Sequence, residues 1–375
     1  MESLRVKADD IAVGQGLPSS MYDSEGRLLL EKGTVITNLG QIESLISRGL
    51  YRQKGDHGNQ VAGQNQERLE DDSSPFVQLD SIITHLPNLF KLIVDGKNGV
   101  EESIIRLCDK LHKLCQEEPD AMLGAVHVVN QYKYTEYHPV HIGILISIVG
   151  TGMGYKDDEI LPVMAAGLTA NISMLELQEE LFKQEAPLTH EQKKAIDDHP
   201  ANTVSLLVKA GIYNAKWLEV VMMHHEKPDG SGYPNKLKAS AISKEAQLLS
   251  IADRYSAMVS TRAYRTAKCS NEALKEFFMN KSDHCDEEMT LFFIKELGIW
   301  PPGTVVELVN GEIAIVIKRG TNSMWPTVSS VRGSNDSVYA HPLSRDCNYE
   351  KYRIKEITRL NENMTLNYSM VWGFC

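Results

Sequence analysis

Two adjacent histidines stand in the string Met223-His224-His225-Glu226-Lys227-Pro228-Asp229-Gly230-Ser231-Gly232-Tyr233-Pro234. Imidazole is the commonest protein ligand for a transition metal and the side chain that changes charge near neutral pH. Trp217, Val220 and Val221 precede the pair at helical spacing, and the Asp, Gly and Pro residues that follow suit a tight turn. On a continuing helix, neighbouring side chains point about 100° apart, so His224 and His225 would not share one metal position equally. They would serve two adjacent ions, or one metal and one phosphate oxygen. The alternative is that one histidine packs in the core and the loop merely ends the helix.

The whole string resembles the signature of the HD-GYP branch of the HD-superfamily metal phosphohydrolases: His-His-Glu, a variable dipeptide, then Asp-Gly-x-Gly-Tyr-Pro. The resemblance runs from about Tyr134 to Ala267, roughly a third of the chain. It implies a metal-ligand set of His138, His199, His224, His225 and Asp253. It also implies a ligand-binding loop of Asp229, Gly230, Gly232, Tyr233 and Pro234, with Arg262 and Arg265 lying near substrate phosphate. His141 reads instead as a core histidine hydrogen-bonded locally. The steps from His138 to Thr169, Thr169 to His199, His199 to His224 and His225 to Asp253 are 31, 30, 25 and 28 residues. Each is about one helix hairpin, so successive helices would present these positions to one central site.

The departure from the family lies at the second step. Where the family has His-Asp and then a lysine, this chain has Thr169-Ala170 and then Ser173. A shift of one residue offers only Asn171, a neutral oxygen. Two cations held close together need an anion between them, and two-ion hydrolysis needs both ions on the attacking water. The expectation is at most one well-held ion, on His199, His224 and His225, with His138 and Asp253 forming a weak second site. Iron, manganese, zinc and nickel all suit a histidine-rich site.

The resemblance with this departure implies a catalytically impaired member, acting as a cyclic di-GMP-related receptor or a protein-interaction scaffold in bacterial signalling. An active metal-dependent cyclic di-GMP phosphodiesterase with a non-standard site is one competing reading. A structural relic that binds neither metal nor nucleotide is another. Expected partners are cyclic di-GMP, a signalling protein, or a second copy of the chain in a homodimer.

The elements that must position these residues are mainly α-helical. Residues 77–298 read as an all-α, multi-helix HD-type bundle. Ile104, Leu107, Leu111 and Leu114 fall on one helix face, Ile142, Leu145, Ile146 and Val149 on another, and Thr189 to Gln192 fits a capping box. Residues 1–52 read as a small α+β domain, with a turn at Asp23 to Gly26, a strand at Arg27 to Leu30, and a short helix carrying Ile42, Leu45, Ile46 and Leu50. Residues 53–76, rich in Gly, Gln, Asn, Asp, Glu and Ser, read as a flexible linker. Residues 299–375 read as a small β-rich module, its first hairpin turning at Asn310-Gly311 in a type I′ turn, with further strands near Val328, Val331 and Val338 to His341.

At 42% hydrophobic and 24% charged residues, the chain is a folded rather than a disordered one. A net charge of −11 excludes bulk nucleic-acid binding through a basic face. Six cysteines without a Cys-x-x-Cys pair point to reduced thiols. No signal peptide is read in Met1 to Asp10, and the apolar run Ile142 to Val149 is too short to span a bilayer. The expected location is the cytoplasm.

Overall fold

The computed structural model describes residues 3–5, 20–22, 28–30, 34, 51–53, 73–260, 269–279, 287–320, 324–360, 364 and 366–374. The chain divides into two compact units, Met1–Val77 and Gln78–Cys375. The first holds a four-stranded sheet in the order β1-β4-β2-β3, from β1 (Ser3–Arg5), β2 (Met21–Tyr22), β3 (Leu28–Leu30) and β4 (Tyr51–Gln53). The turn expected at Asp23 to Gly26, the helix expected around Ile42 to Leu50 and most of the expected linker lie outside the described residues.

The helical series runs α1 (Pro75–Val94), α2 (Val100–Glu117), α3 (Pro119–Val128), α4 (Tyr134–Gly152), α5 (Asp157–Thr169), α6 (Leu175–Lys183), α7 (His190–Lys209), α8 (Ala215–Met223), α9 (Lys244–Val259), α10 (Ser270–Met279) and α11 (Glu287–Leu297). Pro75 opens α1, where a missing N–H costs nothing. Ile104, Leu107, Leu111 and Leu114 are buried along one face of α2, as their spacing predicts. At the start of α7, Thr189 accepts from the Gln192 backbone and the Gln192 side chain returns to the Thr189 N–H, completing the capping box.

α4 is the central helix. Every residue from Tyr134 to Gly150 except Glu136 is buried, so the apolar stripe read from the sequence is part of a helix covered on all sides. α5 packs along it, and the helical stretch Asp157–Lys183 is long and apolar enough to cross a bilayer by composition. Its most apolar window is 61% buried inside the fold, as befits a core helix.

The C-terminal sheet, order β8-β7-β6-β5-β9, is antiparallel throughout and belongs to the same compact unit as α2 to α11. Its strands are β5 (Val305–Leu308), β6 (Ile313–Lys318), β7 (Thr327–Arg332), β8 (Val338–Asp346) and β9 (Ile354–Ile357), and α12 (Tyr368–Trp372) follows. Arg319 bonds Asp120 of α3 at 2.5 Å, and Thr304 meets Ser270 of α10 at 2.6 Å.

The β5–β6 hairpin forms as expected, but its turn is not type I′. Gly311 alone of the pair has positive φ, at 83°. The Gly311 N–H donates to the Leu308 carbonyl and the Leu308 N–H to the Glu312 carbonyl. That is a three-residue loop with glycine in the left-handed position, which matches strand twist as a type I′ turn would.

Candidate metal centre

Three helices and one helix end carry the predicted ligands. His138 lies in the second turn of α4, His199 in α7, His224 and His225 just past the end of α8, and Asp253 in α9. Local backbone chemistry aims two of the rings. Pro200 has no N–H to give the Ile196 carbonyl, and His199 Nδ1 donates to it instead at 2.5 Å. α8 stops at Met223, which frees the Val221 carbonyl, and His224 Nδ1 donates to that at 2.6 Å. Both bonds leave Nε2 as the available atom.

Because α8 ends before the pair, the helical separation of His224 and His225 does not apply. Their rings lie 4.0 Å apart, and each faces His199, at 5.2 and 5.0 Å between centroids. One ligand nitrogen from each of His199, His224 and His225 falls within 4.8 Å of the others. Each of the two histidines therefore offers a nitrogen to one candidate position, which their separation on a continuing helix would not have allowed.

Burial holds all three rings neutral. It pushes His199 down to about 3, with the neighbouring His224 adding to the effect, and lowers His224 and, well below its ordinary value, His225. Burial alone would raise the Asp253 carboxyl. The hydrogen bond from His138 and the neighbouring His225 and His224 rings overcome it and hold Asp253 well below the usual carboxylate range.

The donor set fits a transition-metal ion. His199 Nε2 and His224 Nε2 stand 3.2 Å apart. With both Nδ1 atoms donating to carbonyls, neutral rings turn two lone pairs toward each other, an arrangement a cation relieves. Metal–nitrogen bonds of ~2.0–2.1 Å at right or tetrahedral angles place two nitrogens ~2.9–3.4 Å apart.

The loop after the pair is tied down by Glu226, whose part the sequence reading did not assign. Its buried carboxylate accepts from the Asn235 N–H at 2.6 Å and the Leu237 N–H at 2.8 Å. Tyr233 donates its N–H to the His225 carbonyl at 3.2 Å, and its ring lies 4.8 Å from that of His225, with Pro234 following. Burial and the charges of Asp253 and Asp197 push the Tyr233 hydroxyl upward, so it stays protonated. Gly230 has φ 79°, whereas Gly232 is needed for close approach. A Cβ there would lie 2.4 Å from Lys227 N and 2.5 Å from His225 O. Asp229 accepts from the Ser231 N–H at 2.8 Å, an Asx turn that shapes the loop.

At the position where the resemblance places His-Asp, the side chains close on themselves. Thr169 is fully buried, donates to the Ala165 carbonyl at 2.7 Å and accepts from Trp217 Nε1 at 2.8 Å. Ala170 is buried and offers no donor atom. Ser173 donates to the His199 carbonyl at 3.0 Å and receives Thr203 Oγ1 at 2.9 Å. Thr203 and Ser256 were not singled out in the sequence, and Trp217 was read only as an apolar helix position. Ser256 was findable, since it lies three residues after Asp253 on the same helix face.

His141 is buried as expected and packs 5.0 Å from Tyr137, but the expected local hydrogen bonds are not made. Both ring nitrogens lack a partner in hydrogen-bond geometry, and the Val129 carbonyl is near enough only to oppose slightly the lowering that burial causes. Arg262 and Arg265 lie outside the described residues.

Comparison with known proteins agrees with this geometry. The HD domain family profile matches residues 145–289. The chain is 26% identical to the cyclic di-GMP phosphodiesterase PA4108 of Pseudomonas aeruginosa over 223 residues, 59% of this chain and 54% of that protein. It is 24% identical to 3'3'-cGAMP-specific phosphodiesterase 3 of Vibrio cholerae over 45% of this chain and 36% of that one. The chain thus spans about half the length, or less, of the curated relatives it matches. Among solved structures, Bd1817, an HDG"Y"P protein from Bdellovibrio bacteriovorus, superposes with a TM-score of 0.55 at 13% identity, covering 79% of this chain and 99% of that one. Signature, helical frame and relatives agree: residues 145–289 carry an HD domain, and the chain is similar to HD-GYP proteins.

Proposed function

We propose that this chain holds one transition-metal ion on His199, His224 and His225 beside Asp253, and that it serves as a cyclic-dinucleotide receptor rather than a hydrolase. The observation that carries this reading is the closed network around Thr169 and Ala170, which presents no carboxylate where a second ion would need one. A bound ion supplies Lewis acidity toward a phosphate oxygen and lowers the pKa of water on it. Two divalent ions ~3.8 Å apart repel by about 17 kcal/mol at an effective dielectric of ~20, so an intervening anion is needed to hold both. The protein's own part is then recognition. Neutral imidazoles keep the centre free of protons at neutral pH, and Glu226 and Gly232 hold Tyr233 against His225. The relatives named for cyclic di-GMP and 3'3'-cGAMP support a cyclic dinucleotide as the ligand class.

The test is elemental analysis joined to a turnover and binding assay. Purified protein is expected to hold no more than one tightly bound ion per chain, lost in His199→Ala or His225→Ala. Incubated with cyclic di-GMP and added iron, manganese or nickel, it should bind the dinucleotide and release neither linear product nor GMP. Metal-dependent turnover that disappears in a His224→Ala, His225→Ala double variant would overturn the reading.

A further inference from the structure

We infer that α12 is a docked latch: its Trp372 fills a notch on α3, and a buried histidine–tyrosine bond carries that seating to α9. The inference goes beyond the one-ion reading and does not depend on it. The sequence specifies α12 at both ends. Asn367 accepts from the Met370 N–H at 3.3 Å. Gly373, at φ 83°, donates its N–H to the Met370 carbonyl at 3.1 Å, and Phe374 donates to the Ser369 carbonyl at 2.9 Å, the paired bonds of a Schellman stop. Five residues are nevertheless too few for a helix to persist in water by itself. Docking is what holds it. α12 lies on β6, β7 and β8, Val371 is buried in one apolar cluster with Ile313, Ile315 and Val331, and Trp372 packs at the edge of that cluster.

The Trp372 ring reaches from the sheet onto α3, where Gly124 leaves room for it. A Cβ on Gly124 would lie 2.9 and 3.1 Å from two ring carbons, Cη2 and Cε2, and closer still to Cζ2. Gly303, just ahead of β5, presses on the same turn of α3. A Cβ there would lie 2.7 Å from the Gly124 carbonyl oxygen and from His127 Cβ. His127 carries the contact inward. Its Nδ1 donates to the Leu123 carbonyl at 3.1 Å, which leaves Nε2 to accept from the Tyr255 hydroxyl at 2.8 Å, with the rings edge to face at 5.8 Å. Tyr255 has no solvent exposure and lies on α9, two residues after Asp253 and one before Ser256. A buried phenol needs an acceptor, and α3 supplies this one, so a displacement of α3 that breaks the bond weakens α9 as well. A partner that captures the Val371–Trp372 face would therefore loosen the helix carrying Asp253 without touching it.

The deciding experiment is amide hydrogen exchange read by mass spectrometry on the full chain, comparing wild type, Trp372→Ala, Gly124→Ala, Tyr255→Phe and the Trp372→Ala, Tyr255→Phe pair. Trp372→Ala empties the notch, and Gly124→Ala expels the ring while keeping it in the chain. Each should speed exchange in α3 and α9 by about 5-fold or more, while α7, which packs on α8, keeps its rate. Tyr255→Phe should speed α9 alone, and adding Trp372→Ala to it should then loosen α3 with no further change in α9. Unchanged exchange of α9 in Trp372→Ala would make α12 a local cover and overturn the latch. An equal rise in every helix, α7 included, would overturn it too, as a plain loss of global stability. Protection of α9 that grows with protein concentration would assign the notch to α12 of a second copy and overturn the latch within one chain. Should Trp372→Ala not fold, Trp372→Phe carries the same comparison with a smaller ring.

Discussion

Restoring the absent pair by Thr169→His with Ala170→Asp should destabilise the metal-free protein, and the structure sets the scale. Thr169 is fully buried, and its hydroxyl is the acceptor for Trp217 Nε1. Removing it leaves a buried indole N–H without a partner, at ~1–3 kcal/mol. Fitting an imidazole into the space of a threonine adds ~1–3 kcal/mol of overpacking. Ala170 is 1% exposed, so an aspartate there must stay protonated or carry an unpaired charge. The first two contributions alone come to about 2–6 kcal/mol before the aspartate is counted, a large share of a typical domain stability of about 5–15 kcal/mol. Ions at ~1,000 times their dissociation constant would return about 4 kcal/mol. Urea unfolding with chelator and with manganese measures both quantities. The expected result is a large loss in chelator, substantial recovery in manganese, and a rise from one ion to two. A metal-free double variant as stable as its parent would refute the reasoning, since it would mean that the Thr169–Trp217 bond holds nothing and the space is already open. Thr169→Val, which removes the hydroxyl and keeps the shape, should cost ~1–3 kcal/mol on its own.

Two other perturbations follow from particular contacts. Gly232→Ala places a Cβ against backbone atoms of Lys227, His225 and Glu226, none of which is a flexible side-chain end. Calorimetry should show a stability loss of ~1–3 kcal/mol or more together with weakened zinc binding, and a variant matching wild type in both would detach the loop from the site. In the C-terminal sheet, burial would raise Glu312, but bonds from Arg345 and Ser330 prevail and lower it. Its stabilising part is therefore present above the ordinary glutamate pKa of ~4.3 and is lost as pH falls through the lowered folded value. Glu312→Gln should cost ~1.5–3 kcal/mol at pH 7 and progressively less below pH ~4. A gap independent of pH would assign that cost to packing.

What the sequence made legible was the spacing. Steps of one helix hairpin between His138, His199, His224 and Asp253 are enough to bring helices α4, α7, α8 and α9 to one point, and the structure brings them there. What it hid depended on where helices stop. The rule that neighbours on a helix diverge fails for His224 and His225 because α8 ends at Met223, and a sequence does not mark that residue with a cap of its own. Gly232 was read as a turn glycine, while the constraint on it is the proximity of the His225–Lys227 backbone, a tertiary fact. The role of Glu226 was hidden for the same reason: the N–H groups it binds lie nine and eleven residues away, across a loop whose path periodicity does not describe. At Asn310-Gly311 the residue types named the hairpin correctly, but several turn types share them, and the hydrogen bonds chose the three-residue loop.

The energetics of the histidine cluster bear on whether this is a receptor or a relic. Three buried imidazoles with two Nε2 lone pairs 3.2 Å apart are costly to fold without a cation, because neither nitrogen has a proton to share. A chain under no demand for an ion would lower its free energy by turning one ring to another donor or replacing it with an apolar residue. Here the opposite holds. His199 and His224 are each aimed by a backbone carbonyl that the helix has released, and Ser173, from the very segment that lacks the second ion's ligands, donates to the His199 carbonyl while receiving Thr203 Oγ1. The substitutions at 169, 170 and 173 thus close one half of the centre in a way that braces the other half. That pairing supports a retained one-ion site more than a structural relic.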